Sequence, residues 1–226
     1  MFVSTLFPLH LPAADPSATA LELAEHYRQN ARWISLGSVM FLIGTIALYP
    51  FVVVVASQLR RIEEANHEAP LNSWLFLVTG TMAWGYGSLM PGLSWIAAAF
   101  RPDRNPEITQ IFNDLAWFSF VMPFPPFTVM VLSLGIAILR DRTPEPLIPR
   151  WFGWLCVWEV LGTVPACLSA FYDTGPFAWN GFLSFWVPAV PGIGVFVTGS
   201  VVYALKAISR DEQYDTQLSR LQEGGA

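Results

Sequence analysis

Five apolar runs, each long enough to cross a membrane, set the limits on what this chain can fold into. A helix needs about 20 apolar residues to span the hydrocarbon core of a bilayer. Only 13% of the residues are charged, whereas a soluble domain carries about 25%. The sequence therefore predicts an all-α, polytopic integral membrane protein, in which residues 1–226 form one domain. The predicted transmembrane helices are residues 33–59, 73–100, 110–139, 151–172 and 181–207.

The segments outside these runs are short. Residues 1–32 begin with an apolar stretch that lacks a basic region, so we expect an interfacial N-terminal segment rather than a cleaved signal peptide. Thr19 and Glu22 have the spacing of a capping box and predict the start of a helix. That helix either continues into the first span or lies on the membrane surface beside it. Residues 208–226 are polar and predict a cytoplasmic tail.

Basic residues are distributed unequally over the two sides of the predicted bundle. One side carries Arg60, Arg61, Arg140, Arg142, Arg150, Lys206, Arg210 and Arg220. The other side carries Arg28, Arg32, Arg101 and Arg104. Because basic loops stay in the cytoplasm, this asymmetry predicts a cytoplasmic C-terminus and an N-terminus on the outside.

Every predicted span contains proline, which removes a helical hydrogen bond and kinks the helix. The positions are Pro50, Pro91, the group Pro123, Pro125 and Pro126, then Pro165, and finally Pro188 and Pro191. Five kinked helices predict either a cavity between splayed segments or a close-packed kinked bundle. The stretch "MPFPPF" is predicted to be the least regular part of the bundle.

Two carboxylic acids, Asp114 and Glu159, lie within the predicted spans. An ionised side chain at mid-membrane costs several kcal/mol, so each acid suggests a functional role. Asp114 lies near the outer boundary, where the alternative is a helix cap or an interfacial ion pair, for which Arg101 and Arg104 are nearby. Glu159 lies about 12 Å inside the span by helical rise, level with Pro123–Pro126. Its alternative role is a neutral acid that donates to a kink carbonyl.

Several classes of protein are excluded by what the spans lack. His10, His26 and His67 all lie outside them, which argues against a membrane metal centre or a bis-histidine haem site. The net charge of −5 offers no basic field for nucleic acid. No glycine-rich phosphate loop is present. We therefore expect no cofactor and no metal.

These features favour an enzyme that isomerises or cyclises an uncharged isoprenoid or sterol-like molecule by acid–base chemistry. Glu159 and Asp114 are the predicted catalytic residues. The predicted substrate-binding residues are Trp84, Asn113, Trp117, Phe120, Phe124, Trp158 and Trp186. Two alternatives remain, a binder or transporter of a hydrophobic small molecule and an accessory subunit of a membrane complex. The expected partners are the lipid bilayer and a hydrophobic molecule, with association to a second copy or a partner subunit left open.

Overall fold

The computed structural model describes residues 14–122, 124–144, 146–190, 199, 201–203 and 205–209, and this part of the chain is helical without a β-strand. Six α-helices come first: α1 (Ala20–Thr45), α2 (Leu48–Ala65), α3 (Leu71–Phe100), α4 (Pro106–Val121), α5 (Phe124–Arg140) and α6 (Arg150–Thr163). A 3-10 helix (Val164–Ala170) follows α6 directly, and a short π-helix covers Phe182–Trp186. Residues 1–13 and most of the predicted tail lie outside the described residues.

Three helical stretches within the described part of the chain are long and apolar enough to cross a membrane. The first is Ala20–Ala65, which joins α1 and α2. The second is Pro106–Arg140, which joins α4 and α5, and the third is Arg150–Ala170. The prediction of an all-α fold is confirmed for the described residues, with three helical stretches that are candidate membrane spans.

Helix α1 begins where the capping box predicted. The Thr19 hydroxyl accepts from the Glu22 amide, and the Glu22 carboxylate accepts from the Thr19 amide. From Ala20 the helix runs without a break to Thr45, so it continues into the predicted first span instead of forming a separate interfacial helix. A turn at Ile46 and Ala47 then separates α1 from α2. Pro50 follows this turn. In a regular helix the proline ring would clash with the carbonyl group of the residue four positions earlier.

The predicted third span is divided into two helices at the proline cluster. Helix α4 ends at Val121, and α5 begins at Phe124 with Pro125 and Pro126 in its first turn. Proline is tolerated there because first-turn amides have no intrahelical acceptor. Pro123 lies outside the described residues. In contrast, α3 continues from Leu71 to Phe100 with Pro91 in its interior.

Helix α3 lies at the centre of the bundle. It packs against α1 and α4 with one half and against α2 and α5 with the other, while α6 packs on the far side of α5. The buried apolar residues accordingly form two clusters. One joins α2, α3, α5 and α6, and the other joins α1, α3 and α4 with Trp179 and Phe185.

Glycines bring α5 and α6 into close contact. A Cβ atom added at Gly135 would lie 2.9 Å from the Cβ of Cys156, and one added at Gly153 would lie 3.1 Å from a methyl group of Ile138. These two contacts show that α5 and α6 are antiparallel. From Gly153 to Cys156 the chain advances along α6, while the contacting residue on α5 moves back from Ile138 to Gly135. Small residues at such crossings allow membrane helices to approach closely.

The amino end of α3 is capped by a side chain from α2. Pro70, at the N-cap position, supplies no side-chain acceptor. Instead, the carboxylate of Glu63 accepts from the amides of Asn72 at 2.6 Å and Ser73 at 3.2 Å. Glu63 is buried. A carboxylate in this position satisfies two otherwise unpaired amides and interacts favourably with the helix dipole.

Candidate functional site

A pocket of about 210 Å³ lies where the N-terminal segment meets α1, α3 and α4. Its interior is lined by the buried side chains of Leu23, Tyr27, Ile34, Trp95, Asn113 and Trp117. Its rim consists of Ala14, Asp15, Ala18, Glu22 and His26. The three polar rim residues are exposed, so the pocket reaches the surface of the molecule. Sites of this kind combine an apolar interior with a few polar groups that orient a ligand.

A chain of hydrogen bonds runs along the α1–α4 side of the pocket. The Tyr27 hydroxyl donates to Asn113 Oδ1 over 3.1 Å, and both side chains are buried. Asn113 Nδ2 in turn donates to Asp114 Oδ1 over 3.2 Å. The chain therefore links a phenol in the pocket to a half-buried carboxyl group outside it. Such a network fixes the orientation of the Asn113 amide, because its oxygen accepts and its nitrogen donates.

Aromatic side chains support the pocket from α3 and α4. The rings of Trp95 and Trp117 meet edge to face with centroids 5.3 Å apart. Phe120 packs against both of them, and Phe185 reaches Trp117 from the π-helix at 6.4 Å. Edge-to-face contacts of this kind contribute beyond the burial of apolar area. Trp95 and Trp117 therefore belong to a packed cluster of aromatic rings.

Among the described residues, a long-range hydrogen bond holds the segment before α1 against the bundle. Trp179 Nε1 donates to the carbonyl of Ala14 over 2.8 Å. Next along the chain, the Asp15 carboxylate accepts from the amide and hydroxyl of Ser17. These hydrogen bonds hold the pKa of Asp15 below its ordinary value, so the rim keeps a negative charge at neutral pH.

Glu159 lies away from this pocket, in the interface of α6. It is 2% exposed, and neither carboxyl oxygen has a hydrogen-bond partner among the described residues. The contact of Gly135 with Cys156 sets the register of α5 and α6. One turn further along α6, Glu159 therefore lies opposite Val131 and Leu132. Pro125 and Pro126 lie six to seven residues before Leu132 on α5, about two helical turns away, so Glu159 is not level with these two prolines as the sequence predicted.

The predicted substrate-binding residues do not form one group. Asn113 and Trp117 line the pocket, and Phe120 supports it. Trp84 lies in the other half of the bundle, where its ring meets Phe127 at 6.3 Å. The Trp84 indole nitrogen is buried without a hydrogen-bond partner in the described structure.

The remaining three predicted binding residues are on the surface or outside the described part. Trp158 is 70% exposed although it directly precedes Glu159, because neighbouring residues point to different faces of a helix. Trp186 is 46% exposed, and its neighbour Phe185 faces the aromatic cluster instead. The side chain of Phe124 lies outside the described residues.

The ion pair considered for Asp114 is absent from the described residues. Arg104 instead donates to the carbonyls of Ala97 and Arg101 at the end of α3. Its guanidinium group also lies 5.4 Å from the ring centre of Phe112. Arg104 therefore serves as a cap for α3, and Asp114 accepts a hydrogen bond from Asn113 instead.

Of the residues that line the pocket, the sequence analysis predicted Asn113 and Trp117 and missed the others, including the aromatic residues Tyr27 and Trp95. A signal for Tyr27 was present, because Leu23, Tyr27 and Ile34 share the apolar face of a helix by their spacing of four and seven. Trp95 carries no comparable signal, since its span is apolar on every side. Groups of His, Cys, Asp and Glu suited to a metal ion are absent from the described residues. Comparison with family models, curated proteins and solved structures finds no match to this chain.

Proposed function

We propose that this protein is a membrane protein that binds a small, largely apolar molecule in the pocket between α1, α3 and α4. The observation that carries the proposal is the combination of a buried aromatic interior with the hydrogen-bonded pair Tyr27 and Asn113. The aromatic rings supply apolar contact, and the polar pair can orient one polar group of the ligand. The volume of about 210 Å³ suits a small molecule or one end of a larger one.

The proposed topology has five membrane spans with an external N-terminus. Helix α3 has 30 residues and is about 45 Å long by helical rise, which exceeds the hydrocarbon core. The three apolar stretches and α3 supply four spans, and residues 181–207 supply the fifth. Proline bends at Pro50, Pro125 and Pro165 belong to the same proposal. In this arrangement the pocket lies at the outer end of the bundle.

A pocket-filling variant tests the binding proposal. Ala18→Phe places a ring at the rim, whereas Leu21→Phe adds a ring to an exposed position that does not line the pocket. Organic molecules that co-purify with each protein would be extracted and compared by mass spectrometry. We expect at least one species to be lost from Ala18→Phe and retained in Leu21→Phe. Identical profiles for wild type and both variants would refute the proposal.

A second candidate function is an acid–base enzyme acting on an isoprenoid or sterol-like molecule. The hydrogen-bonded chain from Tyr27 through Asn113 to Asp114 favours it, because a phenol in a pocket can donate or accept a proton. Glu159 is the acid predicted from the sequence, but it is not among the residues that line the pocket. If the protein is an enzyme with Glu159 as its acid, Glu159→Gln abolishes turnover and leaves binding intact.

Turnover that survives Glu159→Gln but is lost in Asp114→Asn would assign the acid–base role to the hydrogen-bonded chain beside the pocket.

If the exposed apolar surface of the protein instead binds a partner subunit, a different result is expected. The protein would co-purify with a second polypeptide, and Ala18→Phe would leave that association unchanged.

A further inference from the structure

We propose that the ligand of this pocket is a small organic cation, an ammonium group carried on an apolar body. The inference rests on the binding function proposed above and specifies the chemical class of the ligand. Three observations carry it: the charge of the rim, the free carboxylate oxygens on that rim, and the aromatic interior.

The rim combines two carboxylates with one imidazole, that of His26, and has no Lys or Arg. Asp15 and Glu22 border the opening, and no Lys or Arg is among the residues that line the pocket. On α1, Arg28 is already paired with Glu25 and Asp103. A positively charged group entering the pocket therefore meets two carboxylates and no competing arginine or lysine.

Each rim carboxylate uses only one of its oxygens in the described structure. Both hydrogen bonds from Ser17 go to Asp15 Oδ1, which leaves Oδ2 available. Both hydrogen bonds from Thr19 go to Glu22 Oε2, which leaves Oε1 available. The turns that fix these side chains thus hold them in place while keeping one acceptor free on each. An ammonium ion with its donors would match this arrangement.

The interior suits the same ligand. Trp95, Trp117 and Tyr27 line it, and the faces of such rings attract cations through their quadrupoles. Tryptophan is the strongest partner of the three aromatic types. This attraction requires no hydrogen bond, so it also applies to a quaternary ammonium group.

One feature opposes a cation, because the amino end of α1 lies beside the rim and a helix amino end attracts anions. The capping box weakens this effect, since Thr19 and Glu22 already satisfy part of that end. The dipole corresponds to roughly half a positive charge, whereas Asp15 and Glu22 carry two full negative charges. The balance of charge therefore favours a cationic ligand.

The test uses the full-length protein in nonionic detergent and a matched pair of probes. Benzyltrimethylammonium carries the charge, and neopentylbenzene has the same shape without it. Binding would be measured by competition in equilibrium dialysis, at low and high salt. We expect the ammonium probe to bind about tenfold more tightly than the neutral probe, with the difference shrinking as salt increases.

Charge-removing variants assign the effect to the rim. Asp15→Asn and Glu22→Gln are each expected to weaken ammonium binding about two- to fivefold and to leave the neutral probe unaffected. Gln at position 22 can still complete the capping box, so the start of α1 is preserved. Glu107→Gln is the control, because it removes an exposed carboxylate from the first turn of α4 outside the pocket lining. It should leave both affinities unchanged.

The outcomes separate this inference from the binding function on which it rests. If the neutral probe binds as tightly as the ammonium probe and Ala18→Phe blocks both, the pocket is a binding site but the cationic class is wrong. If neither probe binds, the proposed function fails and the inference fails with it. Equal losses in Glu107→Gln and the two rim variants would also overturn the inference, because the effect would then be one of net charge.

The ammonium group could belong to a lipid headgroup or to a free amine. Nanodiscs of phosphatidylcholine and of phosphatidylglycerol distinguish these sources. A headgroup ligand predicts that phosphatidylcholine competes with the benzyltrimethylammonium probe and is retained in native mass spectra until the rim carboxylates are removed. A free amine predicts equal probe affinity in both lipids. Preferential retention of phosphatidylglycerol through the rim would contradict the inference.

Discussion

Replacing Glu63 tests whether a carboxylate from α2 holds the amino end of α3 in place. The side chain is 1% exposed and accepts from the amides of Asn72 and Ser73. Glu63→Met keeps a similar volume but leaves both amides without their acceptor. An unsatisfied buried donor costs about 1–3 kcal/mol, and the lost charge at the helix amino end costs about 0.3–1 kcal/mol more. We therefore expect Glu63→Met to lower the free energy of unfolding by about 3 kcal/mol.

Glu63→Gln isolates the contribution of the charge, because its amide oxygen can still accept one of the two hydrogen bonds. The expected loss is about 1–2 kcal/mol. Glu64→Gln is the matched control on the neighbouring position, where Glu64 makes an exposed ion pair of 2.9 Å with Arg60. Such pairs contribute roughly 0–1 kcal/mol. The order of stability should be wild type, Glu64→Gln, Glu63→Gln and Glu63→Met.

The assay is thermal unfolding in detergent, with amide hydrogen exchange as a local measurement. For a chain of this size, about 1 kcal/mol corresponds to roughly 2–4 °C in Tm, so Glu63→Met should unfold about 6–12 °C below wild type. Exchange should accelerate first at the amides of Asn72 and Ser73. Equal Tm shifts for the Glu63 and Glu64 variants, or unchanged exchange at Asn72, would refute the capping role.

Three further substitutions test the packing and the pocket. Gly135→Ala should lower Tm, because the new methyl group would meet α6 at 2.9 Å, whereas Gly44→Ala has open space around it and should raise stability by about 0.5 kcal/mol. A higher Tm for Gly135→Ala would contradict the close approach of the helices. Glu159→Met should raise the free energy of unfolding by about 1–3 kcal/mol, because it removes a buried carboxyl group without a described partner; a decrease would reveal a partner such as bound water. Tyr27→Phe should cost about 1–2 kcal/mol by leaving the buried Asn113 oxygen unpaired, and an unchanged Tm would show that this hydrogen bond adds nothing.

The sequence was a good guide to features that depend on local chemistry. The start of α1 followed from the capping box at Thr19 and Glu22. At "MPFPPF" the sequence predicted one irregular span, whereas the structure has two helices, α4 ending at Val121 and α5 beginning at Phe124. The predicted segment 73–100 differs from the helix α3 by two residues at one end, although α3 is not among the three stretches found apolar enough to cross a membrane. The start of α1 could be predicted because capping acts within a few residues.

Features that depend on how one helix packs against the next could not be predicted in this way. The acceptor for the amino end of α3 comes from Glu63, because α2 folds back on α3 in a register that neither helix specifies alone. The neighbours of Glu159 depend likewise on the register that Gly135 and Cys156 fix between α5 and α6. Counting residues along one helix predicts which residues of its neighbour lie beside it only if both helices are straight. The segment from α4 to α5 is interrupted between Val121 and Phe124, so it does not meet that condition.

The location of the pocket has a physical reason that a search for apolar segments does not detect. Apolar windows identify the parts of a chain that are buried in lipid, whereas polar side chains are least costly near the ends of the spans. Helix α1 begins 13 residues before Trp33. This polar beginning of α1 carries Glu22 and Tyr27, and Tyr27 lies beside Asn113 of α4. Each half of this contact belongs to a segment that, taken alone, is an unremarkable helix end. The polar part of the candidate site thus arises from α1 extending past its apolar run, while the buried carboxyl group at Glu159, which attracted attention in the sequence, lies in a separate helix interface.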